Sequence, residues 1–216
     1  MDHSLQANSK LDAQLMMGFI LVGIAISSSA SAQAGAVVPI PGCEQLDEAN
    51  GYFPRGVFKQ SEDDDRRDVH RRSRYSTFLR AMSEPSFYCT RQSAEAYRFL
   101  WLRTRGRPIA IRVSVVAGLA TIHAVEMDGA GGYHPGKESR RLERKLKPSE
   151  WKEIVDGLLS MDFWKMPPTA QKSGHDGAHW ILEGRKGADY HVVDRWEPES
   201  GPYHDLCLKL VGLAGF

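Results

Sequence analysis

Three apolar runs decide the fold: YRFLWLRT at residues 97–104, IAIRVSVV at 109–116 and LATIHAVEM at 119–127. All are rich in β-branched and aromatic residues, and each has the length of an ordinary strand. Arg105-Gly106-Arg107-Pro108 and Ala117-Gly118 separate them. Links this short join antiparallel neighbours. Pro108 lacks a backbone donor and belongs at a turn. The reading is an antiparallel meander.

With residues 105–108 as the first loop, Leu102 faces Ile111 and Leu100 faces Val113. With Ala117-Gly118 as the second, Val113 faces Ile122 and Ile111 faces Ala124. Side chains alternate faces with period two. Leu100, Leu102, Ile111, Val113, Val115, Ile122 and Ala124 then form a core face. Tyr97, Phe99, Trp101, Arg112 and His123 share the opposite face with Ser114 and Thr121. Arg112 falls opposite Trp101, a cation–π arrangement. This aromatic face is either packed under another element or open to a glycan, peptide or protein partner.

Working outward, Glu138–Leu146 reads as a fourth, charged strand. Pro148-Ser149-Glu150 opens a helix with Trp151, Ile154, Val155, Leu158 and Leu159 as its apolar stripe. HWILEG at 179–184 and YHVVDRW at 190–196 flank Arg185-Lys186-Gly187-Ala188 as a hairpin. Ser200 and Pro202 begin a last helix carrying Tyr203, Leu206, Cys207, Leu210 and Leu213. Upstream, Tyr75, Phe78, Leu79 and Met82 recur at helical spacing. The expected class is α+β: an antiparallel meander sheet of five to six strands, with about three helices mainly on one face.

Residues 69–216 make one such domain, of a size that supports its own core. Residues 33–68 are rich in glycine, proline and charge and are expected to be extended or loosely ordered. Within and beyond them, Glu62, Asp63, Asp64 and Asp65 run into Arg66, Arg67, Arg71, Arg72 and Arg74. That tract reads as a solvated, self-compensating charge run.

The chain starts with an address. LMMGFILVGIAI at 15–26 is shorter than the roughly 20 apolar residues of a spanning helix. Ala30-Ser31-Ala32 follows as a small-x-small cleavage site, so residues 1–32 read as a signal peptide and the mature chain starts near Gln33. Asp2 and Asp12 against Lys10 make an atypical leading segment. The expectation is an exported, periplasmic or extracellular protein with no stable membrane span.

Charged residues are 25% and apolar ones 42%, a globular balance. The formal charge of +1 lacks the basic excess of a nucleic-acid binder. Gly131-x-x-x-x-Gly136-Lys137 imitates a phosphate loop, but Glu138 stands where a magnesium-binding hydroxyl belongs. No nucleotide and no cofactor are expected. Of three cysteines, Cys207 reads as a buried hydrophobe, and Cys43 with Cys89 is the candidate disulfide of an oxidising compartment.

Histidine is densest near His175 and His179, with His191 and Asp194 following. Placing Lys186-Gly187 at the turn sets Glu183 opposite Tyr190 and His179 opposite Asp194. A carboxylate-oriented imidazole is half of a general-base system, with His175 nearby. The same pair serves equally as a structural cross-strand contact. His191 projects from the other face of its strand, which argues against a metal triad, and no metal is expected.

EAYRFLWLRTRGRPIAIRV, DGAGGYHPGK, DGAHWILEG and YHVVDRWEP together resemble a family of uncharacterised exported bacterial proteins, over about residues 95–210. The resemblance implies a folded domain and transfers no catalytic role. The expectation is therefore a non-enzymatic exported domain, an interaction or structural module of the bacterial envelope. The alternatives are a small hydrolase-like enzyme using His179 and Asp194, and a glycan- or peptide-binding module using the aromatic face.

Overall fold

The computed structural model describes residues 38–39, 51–91, 95–172, 174 and 176–216. The sheet consists of β3 (Glu95–Arg103), β4 (Ile109–Val116), β5 (Leu119–Met127), β6 (Glu138–Lys145), β7 (Ala178–Lys186) and β8 (Asp189–Trp196). Two short segments, β1 (Val38–Pro39) and β2 (Thr90–Arg91), form a separate antiparallel pair. The helices are α1 (Asp65–Ala81), α2 (Pro148–Ser160) and α3 (Pro202–Ala214). The class is α+β with a six-stranded antiparallel sheet. Strands β3 to β6 run as a meander, while the β7–β8 hairpin adds to the other side of β3, giving the order β6-β5-β4-β3-β7-β8.

Turn chemistry fixes the hairpins. Ala117 and Gly118 both have positive φ (49° and 78°), as a two-residue type I′ connection requires. The β4–β5 register is the one read from the sequence, with Val113 opposite Ile122 and Ile111 opposite Ala124. In β7–β8 the turn centres on Gly187-Ala188, so His179 pairs with Trp196 and Glu183 with Val192. This register differs from the expected one by an even step, which leaves every side chain on its expected face.

The β3–β4 register differs by an odd step, and an odd step inverts faces. Phe99 lies opposite Ile111 and Trp101 opposite Ile109. Leu102 and Arg103 run past the end of β4 and pair with β7 instead. The longer loop this leaves is held by the glycine-rich segment: Gly131 N–H donates to Gly106 O at 2.9 Å and Gly132 N–H to Thr104 O at 3.1 Å.

Both faces of the sheet are covered, which explains the almost continuous burial along β3. On one face, Tyr97, Phe99, Ile111, Ile122, Leu182 and Val193 pack beneath Ile154 and Leu158 of α2 and Leu206 and Leu210 of α3. On the other, Leu100, Leu102, Ala110, Val125, Ile181 and Val192 meet Tyr75, Phe78 and Leu79 of α1 and Met82 just after it, together with Phe53 and Phe58. Two of the three helices thus share one face. Leu159, expected in the α2 stripe, is 72% exposed.

Residues 51–68 depart from the loose segment expected there. Helix α1 begins at Asp65, and Phe53 and Phe58 are fully buried. Asp68 is the organiser: its carboxylate accepts from Gly56 N–H (2.9 Å), Phe58 N–H (3.0 Å) and Arg72 Nε (2.7 Å). A buried carboxylate needs such donors, so the charge tract is not merely a solvated run. Residues 1–37 and 40–50, including the signal segment and Cys43, lie outside the described residues. Among the described residues, no helix is long and apolar enough to cross a membrane.

Candidate functional site

His179 and Asp194 meet. Antiparallel β7 and β8 present them on the same face, and His179 Nδ1 lies 3.1 Å from Asp194 Oδ1. They do not face solvent: His179 is 9% exposed and Asp194 3%. Helix α1 closes over them. The Tyr75 hydroxyl donates to Asp194 Oδ2 at 2.8 Å and accepts from His179 Nδ1 at 2.9 Å. With the Tyr75 proton committed to the carboxylate, Nδ1 of His179 carries the hydrogen. Arg71, also on α1, approaches Asp194 Oδ2 at 3.3 Å. Trp196 packs edge-on to the imidazole at 4.8 Å.

Burial pushes the Asp194 carboxyl up. The His179 hydrogen bond and charge, then Arg71 and Tyr75, outweigh it and leave the group below the usual aspartate range. Burial, followed by the Asp194 charge, pushes the Tyr75 hydroxyl well above its ordinary value. The cluster is therefore an anion held by three donors, with Tyr75 kept protonated as one of them. His175 lies outside the described residues. His191 sits on the opposite face, as expected, and its Nε2–H donates to Met166 O at 3.0 Å.

The aromatic face does not form as expected. Tyr97 and Phe99 are core residues under α2 and the single helical turn Phe163–Lys165. Trp101 is part-buried, and Arg103 rather than Arg112 lies over its ring, 4.3 Å from the centroid. Arg112 and His123 occupy the other side of the sheet. The inverted β3–β4 register is the cause. A platform uniting all five residues is excluded by this packing.

Arg112 and His123 belong instead to a buried ionic network. Glu84, in the segment after α1, accepts from His123 Nδ1 (2.9 Å) and Arg112 Nε (2.9 Å), with Arg98 Nη1 at 3.5 Å. Arg98 binds Glu183 Oε2 through Nε at 2.9 Å and Nη2 at 2.5 Å. The Tyr190 hydroxyl donates to the other Glu183 oxygen at 2.9 Å. Arg98 also donates to Pro85 O, and its guanidinium stacks over Phe87 at 4.3 Å. Burial raises the Glu84 carboxyl, but the His123 hydrogen bond and the Arg98 and Arg112 charges reverse this and bring it to about 2. Burial also raises Glu183, and Arg98 and Tyr190 only partly offset it.

The sequence carried a signal for this network. Arg98 stands in the apolar run YRFLWL and Glu183 in WILEG, one charge of each sign in two strands that turn out to pair. A lone charge amid apolar strand residues calls for a buried partner.

Cys89 is disulfide-bonded, and Cys207 is a buried free thiol. Among the described residues, no group of three or more His, Cys, Asp or Glu is placed to hold a metal ion. In comparisons with known proteins, no family model and no curated relative matches the chain.

Proposed function

We propose that this chain is an exported, non-catalytic domain that acts as an interaction or structural module of the bacterial envelope. The observation that carries the reading is how the His179–Asp194 pair is used. Both oxygens of Asp194 are occupied, by His179 on one side and by Tyr75 and Arg71 of α1 on the other. A general base needs an imidazole offered to substrate; this ring is buried, 9% exposed, between Tyr75 of α1 and Trp196. The disulfide at Cys89 supports the export half, since such bonds persist in oxidising compartments. So do the apolar run at 15–26 and Ala30-Ser31-Ala32.

Two measurements test this reading. Bacterial cells making the full chain are fractionated and the recovered protein is sequenced from its amino terminus. The expected species starts at Gln33 in the periplasm or medium; a full-length, reduced protein in the cytoplasm overturns export. Asp194→Asn and His179→Gln are then compared with the parent in stability and in hydrolysis of chromogenic ester and peptide substrates. Reduced stability with no turnover in any form is expected. Parent turnover that is abolished in a still-folded variant overturns the non-catalytic assignment.

A further inference from the structure

His123 on β5 is hydrogen-bonded at both ring nitrogens. Arg141 of β6 places Nη1 2.6 Å from His123 Nε2. A guanidinium has donors and no acceptor, so Nε2 must accept. On the other side Nδ1 lies 2.9 Å from Glu84 Oε1, an acceptor, so Nδ1 carries the hydrogen. The ring is a neutral bridge between a buried carboxylate and a cation on the edge strand.

A second proton on Nε2 would set two donors, both cationic, against each other at hydrogen-bond distance. One side must yield. Glu84 is fully buried and fixed by Arg112 and Arg98. Arg141 is 39% exposed along its side chain and already bound to Glu138, through Nε at 2.9 Å and Nη2 at 2.6 Å. The mobile partner is therefore Arg141. Glu143 is exposed and lies directly opposite His123 in the β5–β6 register. Facing residues have Cβ atoms about 5 Å apart, so its carboxylate is within reach of a protonated Nε2.

We propose that His123 is a proton-operated clasp on the edge strand: protonation of Nε2 releases Arg141 outward and draws Glu143 inward, changing the charge pattern that β6 presents to solvent. The charged groups around the ring are Glu84 after α1, Arg98 on β3, Arg112 on β4, and Arg141 and Glu143 on β6. Glu183 on β7 stands behind Arg98, and Glu138 behind Arg141. The inner three (Glu84, Arg98 and Arg112) hold their positions in both states, while the two β6 residues exchange.

The test is imidazole ¹⁵N NMR on the whole folded protein between about pH 8 and about pH 5. At the upper end one ring should carry hydrogen on Nδ1 and none on Nε2. Arg141→Met should let that ring take its second proton at a higher pH than the parent, and Glu143→Gln at a lower one, since the first removes a neighbouring cation and the second a neighbouring carboxylate. Both replacements are at exposed positions, so the fold survives them. The Arg141 Nε–H signal should shift with the same midpoint as the ring. A ring doubly protonated at about pH 8, one that stays neutral to about pH 5 in all three proteins, or shifts of the opposite sign would overturn the clasp.

Discussion

The Tyr75 hydroxyl of α1 sits 2.8 Å from Oδ2 of Asp194 on β8, and this bond fastens the N-terminal layer to the end of the sheet. Tyr75 is fully buried against Phe53 and Phe58, so the hydroxyl has no water to fall back on. Tyr75→Phe should lower stability by about 1–3 kcal/mol, the cost of a buried acceptor losing one donor. Asp194→Ala should cost more, about 3–5 kcal/mol, because it leaves Arg71 buried without its counter-charge. Urea titration of the two variants checks both the size and the order.

Arg98 stands between two carboxylates, and its loss should be among the most damaging single changes in the chain. Arg98→Met leaves Glu183 with Tyr190 as its remaining donor and should cost about 3–5 kcal/mol. Adding Glu183→Leu should restore at least about 1 kcal/mol, since the second substitution removes the stranded charge. A double-mutant cycle reads the coupling directly. Additive losses would mean that the pair does not interact in solution.

Acid should unfold the protein through Glu84 and Asp194. Both carboxyls lie below their ordinary values in the fold, so the stability they contribute is present above the unfolded-state value and is lost as pH falls. For Glu84 the window runs from near 4.5 down to about 2. Each group adds a slope of at most about 1.4 kcal/mol per pH unit. Glu183 acts in the opposite direction, because its raised value makes the charged form costly above that range and relieves the cost on acidification. The net expectation is a steep fall in the thermal midpoint below about pH 4.5, weakened in Glu84→Gln, which starts lower at neutral pH.

Two glycines offer opposite outcomes. A Cβ on Gly131 would lie 2.6 Å from Arg103 O and 2.7 Å from Arg103 N, both backbone atoms. Gly131→Ala should therefore push the glycine-rich loop off the end of β3 and cost about 1–3 kcal/mol. At Gly212, inside α3, a Cβ meets nothing within 4 Å. Gly212→Ala should raise stability by up to about 1 kcal/mol through helix propensity and a less flexible unfolded chain. Thermal melts of the two single variants should move in opposite directions.

Reading the chain alone identified every strand of the main sheet and all three helices, because each element is announced locally. Apolar spacing marked α2 and α3, and Ala117-Gly118 marked a turn that both residues adopt with positive φ. The meeting of His179 with Asp194 was also legible, since an even change of register leaves residues on the same face. Three things were not. The pairing of Phe99 with Ile111 depends on how far β3 runs beyond β4 to reach β7, and alternation gives no guide when both faces of a sheet are buried. The burial of Asp68, Arg71 and Arg72 in a tract that reads as solvated depends on partners at Gly56, Phe58 and Asp194, which only folding brings near. The same is true of Glu84, whose surroundings are assembled from three separate strands. Propensity and periodicity act between neighbours along the chain; desolvated charge is satisfied only across it, so the sequence determined the elements and the tertiary structure decided what the ionic groups do.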